Sequence, residues 1–151
     1  MLDITKLKQL RKQTGISFSL CKKALLESKN NIKATNKLLT KWGAEKILDK
    51  QEQSTSQGAI FSYVHHNKKI ASLVELLCET DFVSRNVEFQ RLGQELAMQI
   101  ASIPTNNIDG LLKQEYIRDP SKKIGDLLKE AVLKFGENIK ITRFIKWNLG
   151  V

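Results

Sequence analysis

Cysteine, histidine and proline are each present only twice in the 151 residues. Cys21 and Cys78 lie far apart, with no Cys-x-x-Cys and no Cys/His metal-ligand spacing, and read as small buried apolar side chains. His65 and His66 are neighbours, so on a strand they point to opposite faces and do not chelate together. No apolar run approaches the ~20 residues of a membrane-spanning helix, and no membrane partner is expected. Met1-Leu2-Asp3 leads straight into a helical pattern, without a signal or transit peptide, so the expected location is the cytoplasm. There is no phosphate-binding glycine loop, no Gly-x-Ser-x-Gly and no converging His/carboxylate set. The glycines are scattered at helix ends and turns. These absences point to a non-enzyme that acts on another protein, with no cofactor and no metal.

What is present is charge and helical periodicity. The net charge of +9 is uneven: residues 1–50 carry +8, residues 51–110 carry −3 and residues 111–151 carry +4. A basic N-terminal third suits an acidic partner, protein or nucleic acid, or is a solvated lysine surface.

Ile4, Leu7 and Leu10 repeat at helical spacing, and Thr14-Gly15 stops that helix. Ser17 can cap a second helix with Phe18, Cys21 and Leu25 on one stripe. Asn31 can cap a third with Ile32, Thr35, Leu38, Leu39 and Trp42 inward. Residues 1–43 therefore predict a three-helix bundle. Residues 44–57, polar from Gln51 to Gln57, read as a linker with a helical extension toward Lys50. Residues 58–151 read as a second domain. A hairpin comes first, over 58–66 and 69–79, with Ile70, Val74, Leu76 and Cys78 on one face. A helix follows Asn86 with Phe89, Leu92, Leu96, Ile100 and Ile103 as its stripe, ended by Pro104. Residues 104–117 read as irregular, with a short turn near Leu111-Leu112. Asp119-Pro120 signals a second helix through Phe135. A third strand places Ile139, Ile141, Ile145 and Trp147 against Lys140, Thr142, Phe144 and Lys146. The expected class is α+β: the bundle, the linker, then a two-layer β-β-α-α-β domain with a three-stranded antiparallel sheet. That order differs from the α-β-β-β-α of a double-stranded-RNA-binding domain, and no direct nucleic-acid contact is expected.

The chain is organised around Cys78-Glu79-Thr80-Asp81-Phe82-Val83-Ser84-Arg85-Asn86, between the second strand and the first long helix. Phe82 sits at this corner with the carboxylates of Glu79 and Asp81 around it. It can fold into the core, or project as an apolar wedge for another protein. Local physics does not choose between the two.

Cys-Glu-Thr-Asp-Phe-Val after an apolar strand resembles the Thr-Asp-Phe-Val motif of the bacterial elongation factor Ts family. Leu10-Arg11-Lys12-Gln13-Thr14-Gly15 with Cys21-Lys22-Lys23-Ala24-Leu25 resembles that family's N-terminal signature. Phe135-Gly136-Glu137-Asn138-Ile139 resembles its Gly-Glu-Asn-Ile segment. The three motifs stand in the family's order and span most of the chain.

The resemblance implies a ubiquitin-associated-type (UBA-like) bundle at the N-terminus and a guanine-nucleotide exchange factor for elongation factor Tu. Such a factor binds the GDP-bound and nucleotide-free forms of that partner and promotes GDP release during translation elongation. By position it implies partner contacts at Thr80, Asp81, Phe82 and Val83, with Phe82 as the wedge, and at Arg11, Phe18 and Lys22. Phe18 stands where a methionine is usual, and Ser19 and Leu20 replace Met-Asp. The segment Glu95–Ala101 resembles a family helix that often carries histidine where Gln99 stands. The chain is also short: family members carry extra structure where Pro104 to Gly110 here joins Ile103 to Leu111. A homodimer would replace the contacts of that missing half. The alternative reading is a basic nucleic-acid or ribosome-associated binding protein without exchange activity, whose binding would collapse steeply with salt.

Overall fold

The computed structural model describes residues 1–49 and 54–151, with residues 47–49 by backbone alone. They form two compact units, Met1–Glu52 with Lys129–Glu137, and Gln53–Leu128 with Asn138–Val151.

The first unit opens with three capped helices, α1 (Ile4–Thr14), α2 (Phe18–Glu27) and α3 (Ile32–Asp49). Asp3 accepts a hydrogen bond from the Lys6 amide at the start of α1. Gly15 ends it in the left-handed region, at φ 67°, returning its N–H to the Arg11 carbonyl. Ser17 and Asn31 cap α2 and α3 by accepting from the amides of Leu20 and Ala34. Each such cap is worth about 1 kcal/mol. Leu7, Leu10, Ile16, Cys21, Ala24, Leu25 and Leu39 close the core, with Ile32, Leu38 and Trp42 packed on it. Two residues of the expected stripes stay out: Ile4 and Phe18 are exposed, whereas Ile16 and Ala24, outside those stripes, are fully buried. A contribution from far along the chain completes the unit. Leu133 joins the core, and the Lys129 backbone lies so close to α3 that a Cβ at Gly43 would strike it. The bundle thus has a fourth piece. α3 continues through Asp49, so the first part of the predicted 44–57 linker is helix; residues 50–53 lie outside the described residues.

The second unit is an antiparallel sheet in the order β1-β2-β5, from β1 (Gln57–Val64), β2 (Ile70–Cys78) and β5 (Lys140–Asn148). Two helices pack on it, the four-residue α4 (Asp81–Ser84) and the long α5 (Val87–Ser102). Phe61 and Phe89 meet with ring centroids 6.1 Å apart beneath α5. Gly93 lies against the Phe61 ring, where any Cβ would collide with it. Leu96, Ala97 and Ile100 cover Val74 and Leu76, and Ser72 Oγ donates to the Ala97 carbonyl. Full burial of a side chain such as Phe89 contributes roughly 2–3 kcal/mol.

The α+β class holds, and the element order is richer than β-β-α-α-β. The segment after α5 contains α6 (Ile108–Lys113) and a two-stranded ribbon of β3 (Glu115–Tyr116) and β4 (Asp119–Lys123). Asp119-Pro120 therefore opens a strand, and α7 (Ile124–Phe135) begins four residues later. The Asp126 carboxylate accepts the Lys123 amide at the start of α7, which displaces the cap expected at Asp119. The ribbon is fixed by the fully buried Gln99: its Nε2 donates to Gln114 Oε1 and the Glu115 carbonyl, and its Oε1 accepts from the Ile117 amide.

The third strand is also corrected. Ladder partners shift between Glu75 and Leu76, opposite Arg143 and Ile141, so Thr142 is an extra residue. The bulge flips the strand. Ile139 and Ile141 are buried, whereas Ile145 and Trp147 turn to the face of the sheet opposite the helices.

Candidate partner-docking site

The corner after β2 is built from short local interactions. β2 ends at Cys78, whose Sγ contacts the Thr80 carbonyl at 3.1 Å. Thr80 is extended, and its Oγ1 accepts from the Val83 amide, capping α4. Ser84 Oγ donates to the Asp81 carbonyl at 3.0 Å, and Gln90 Nε2 donates to the Ser84 carbonyl at 2.6 Å. Asn86 caps α5 at once, accepting from the Glu88 amide. One helical turn has room for one buried side, and Val83 and Ser84 occupy it. Phe82 is left 85% exposed, pointing away from the core. Val87, 69% exposed, begins the next helix five residues on. Asp81 makes a surface pair with Arg85 at 3.4 Å, worth less than about 1 kcal/mol.

The sequence left Phe82 open between core and wedge, and the geometry places it outside. Val87 was missed, because the 3.6-residue pattern of α5 starts at Phe89 and says nothing of a residue before the stripe.

The other residues implicated by resemblance lie on the first unit. Arg11 is exposed in the last turn of α1. Phe18 is 52% exposed at the start of α2, with Lys22 one turn further on the same side. Leu26, another turn on, is also exposed and extends this row, which sequence reasoning did not mark. Cys21 faces the core, and burial raises its thiol pKa against smaller opposing effects of the Thr14 hydroxyl and the Arg11 charge. It is an inert packing group.

The face of the sheet away from the helices carries a second feature. Register aligns Ile60 with Glu75 and Arg143, Leu73 with Ile145, and Ala71 with Trp147 and Val64. Ile60, Val64, Leu73, Ile145 and Trp147 are all exposed there. At one end the Glu75 carboxylate accepts from Thr142 Oγ1 and the Arg143 guanidinium, which hold its pKa below the usual value. Beyond the end of β1, His65 and His66 differ from expectation. They lie in the turn after the strand, where alternation no longer applies, and their ring centroids are 4.1 Å apart. His65 Nδ1 bonds the Tyr63 hydroxyl at 2.9 Å. Among the described residues no group of three or more His, Cys, Asp or Glu could hold a metal ion, and no helix is long and apolar enough to cross a membrane.

The family model "Elongation factor TS" matches residues 79–150, from the base of the Phe82 corner to just past β5. The elongation factor Ts of Thermosipho melanesiensis is 34% identical, over 99% of this chain and 100% of its own length. The chain belongs to the elongation factor Ts family. Elongation factor Ts of Coprothermobacter proteolyticus is 35% identical over 95% of both chains, and that of Herpetosiphon aurantiacus 30% over 99% and 98%. Membership makes this a translation elongation factor of protein biosynthesis. The alignment with the Thermosipho factor runs to 195 positions against 151 residues, so the relative carries at least 44 positions that have no counterpart here.

Proposed function

We propose that the protein is a cytoplasmic guanine-nucleotide exchange factor for elongation factor Tu and is not itself an enzyme. The observation that carries the reading is Phe82, a large apolar side chain held almost wholly in solvent on a corner fixed by bonds that do not involve it. Exposing such a ring forgoes roughly 2–3 kcal/mol of burial, which a partner's pocket can recover. In the family that pocket lies between helices of the partner's GTP-binding domain, beside elements that hold Mg²⁺ and phosphate. Displacing Mg²⁺ removes the main counter-charge to the nucleotide phosphates, and GDP leaves. Linkage fixes the thermodynamics: the factor binds nucleotide-free partner more tightly than GDP-bound partner by the factor with which it weakens GDP. The chain needs no metal or nucleotide of its own for this. Thr80 and Val83 hold the corner, Asp81 is the ring's polar neighbour, and Arg11, Phe18 and Lys22 supply a second, basic contact.

The test is release of a fluorescent GDP analogue from elongation factor Tu, with and without the protein. Acceleration that Phe82→Ala reduces about 30-fold, the loss of a 2 kcal/mol hot spot, is the expected result. No acceleration by the folded protein refutes the reading.

The active form is proposed to be a homodimer joined through the open sheet face. The five exposed apolar side chains on that face and the shorter chain relative to its relatives support this. Stable interfaces bury about 1,600 Å² in total, an area two small sheet faces can supply. A monomer mass at micromolar concentration would refute it.

A further inference from the structure

Glu79 lies between the end of β2 and the cap of α4. The β2–β5 ladder ends with Leu77 opposite Lys140. Two rungs further the same register would set Glu79 opposite Asn138. There the β2 backbone has already turned toward α4, and the Asn138 amide would lose its acceptor. Asn138 is only 5% exposed, so an orphaned N–H would be costly. The Glu79 carboxylate takes the place of the missing carbonyl: Oε1 accepts from the Asn138 amide at 2.6 Å. A charged acceptor makes this one of the stronger kinds of hydrogen bond. It spans 59 positions of sequence and joins the two motifs Cys-Glu-Thr-Asp-Phe-Val and Gly-Glu-Asn-Ile.

We infer that Glu79 is a positioning residue for the wedge, bracing the first residue of the Phe82 corner against the segment that leads into β5, through the Asn138 amide. This rests on the exchange function proposed above. Holds of the corner on the sheet and α5 include the Cys78–Thr80 contact, the Gln90–Ser84 bond and this brace. The brace reaches the segment that enters β5, 59 positions away in sequence, so it helps set where the corner leaves the sheet. Displacement of a tip by about an ångström can cost on the order of a hundredfold in rate when geometry must be met.

Three variants separate reach from charge. Glu79→Ala removes the acceptor. Glu79→Asp keeps the charge but is one methylene short. Glu79→Gln loses the charge but presents an amide oxygen at the same reach. The expected result is a roughly tenfold fall in the saturating GDP-release rate for Ala and Asp, with the half-saturating concentration within about twofold, and near-full activity for Gln. Hydrogen exchange in the free protein gives an activity-independent readout: the amides of Asn138 and residues 80–84 exchange faster in Ala and Asp, and stay closer to wild type in Gln than in either. Unchanged exchange protection in Ala overturns the inference. A Gln variant as impaired as Ala also overturns it, since the charge and not the reach to the Asn138 amide would then be what matters. If Phe82→Ala leaves GDP release unaltered, the exchange reading fails, and the hydrogen-exchange result still decides the brace. If Ala does not fold, the contrast between Asp and Gln decides alone.

Discussion

At position 82 a side chain and its support are separate things. Phe82 is held out by Thr80, Val83, Ser84 and Gln90, none of which needs the ring. Phe82→Ala should therefore leave the melting temperature within about 2 °C of wild type while exchange falls; a drop of many degrees would make the ring a packing residue. Thr80→Ala should behave differently. Losing its cap costs about 1 kcal/mol, so melting falls by roughly 2–4 °C and exchange falls with it. Gly93→Ala sets packing against helix propensity. Helix propensity favours alanine by about 1 kcal/mol, but the new Cβ meets the Phe61 ring, and the expected net is a destabilisation of about 1–3 kcal/mol by denaturant unfolding.

At the scale of elements, the sequence showed most where the physics is local. The caps at Ser17, Asn31 and Asn86 and the stop at Gly15 depend on residues within one turn, and all are present. The β3–β4 ribbon was illegible because Gln99, far back in α5, supplies its hydrogen bonds. The bulge at Thr142 was illegible because alternation assumes that no residue is extra, and one extra residue moved Ile145 and Trp147 to the other face. The side Phe82 would take was undecided for the same reason: a corner has no period. The ribbon carries a pH dependence of its own. Burial, with the hydrogen bond to Glu95 next, raises the Tyr116 pKa from 10.0 to about 12. The neutral phenol is the form favoured by folding. Its stabilisation is complete below pH 10 and is lost as pH rises toward 12. In an absorbance titration of the phenolates, the component near 12 should vanish in Tyr116→Phe.

At the scale of the whole molecule, charge and surface decide encounter. The +8 carried by residues 1–50 should speed association with an acidic partner. Its rate should fall as salt rises through the range where the Debye length shrinks below about 10 Å, with little change in the GDP-release rate at saturation; a salt-independent association rate would remove the steering role. Trp147→Asp places a charge in the open sheet face and should convert a dimer to a monomer in sedimentation without unfolding it, because the side chain is 69% exposed. Wild type and variant with the same mass would argue against that face as the contact.

The fixed corner and unattached ring of Phe82 also make an instrument mount. Since the ring of Phe82 lies in solvent, the position accepts other chemistry at little cost to the fold. A cysteine there would be open to solvent, whereas Cys21 and Cys78 are buried, so a thiol-reactive dye should go to the tip selectively. The dye would then sense the polarity of whatever receives the tip. The same feature that presents the side chain to a partner allows the moment of insertion to be watched directly.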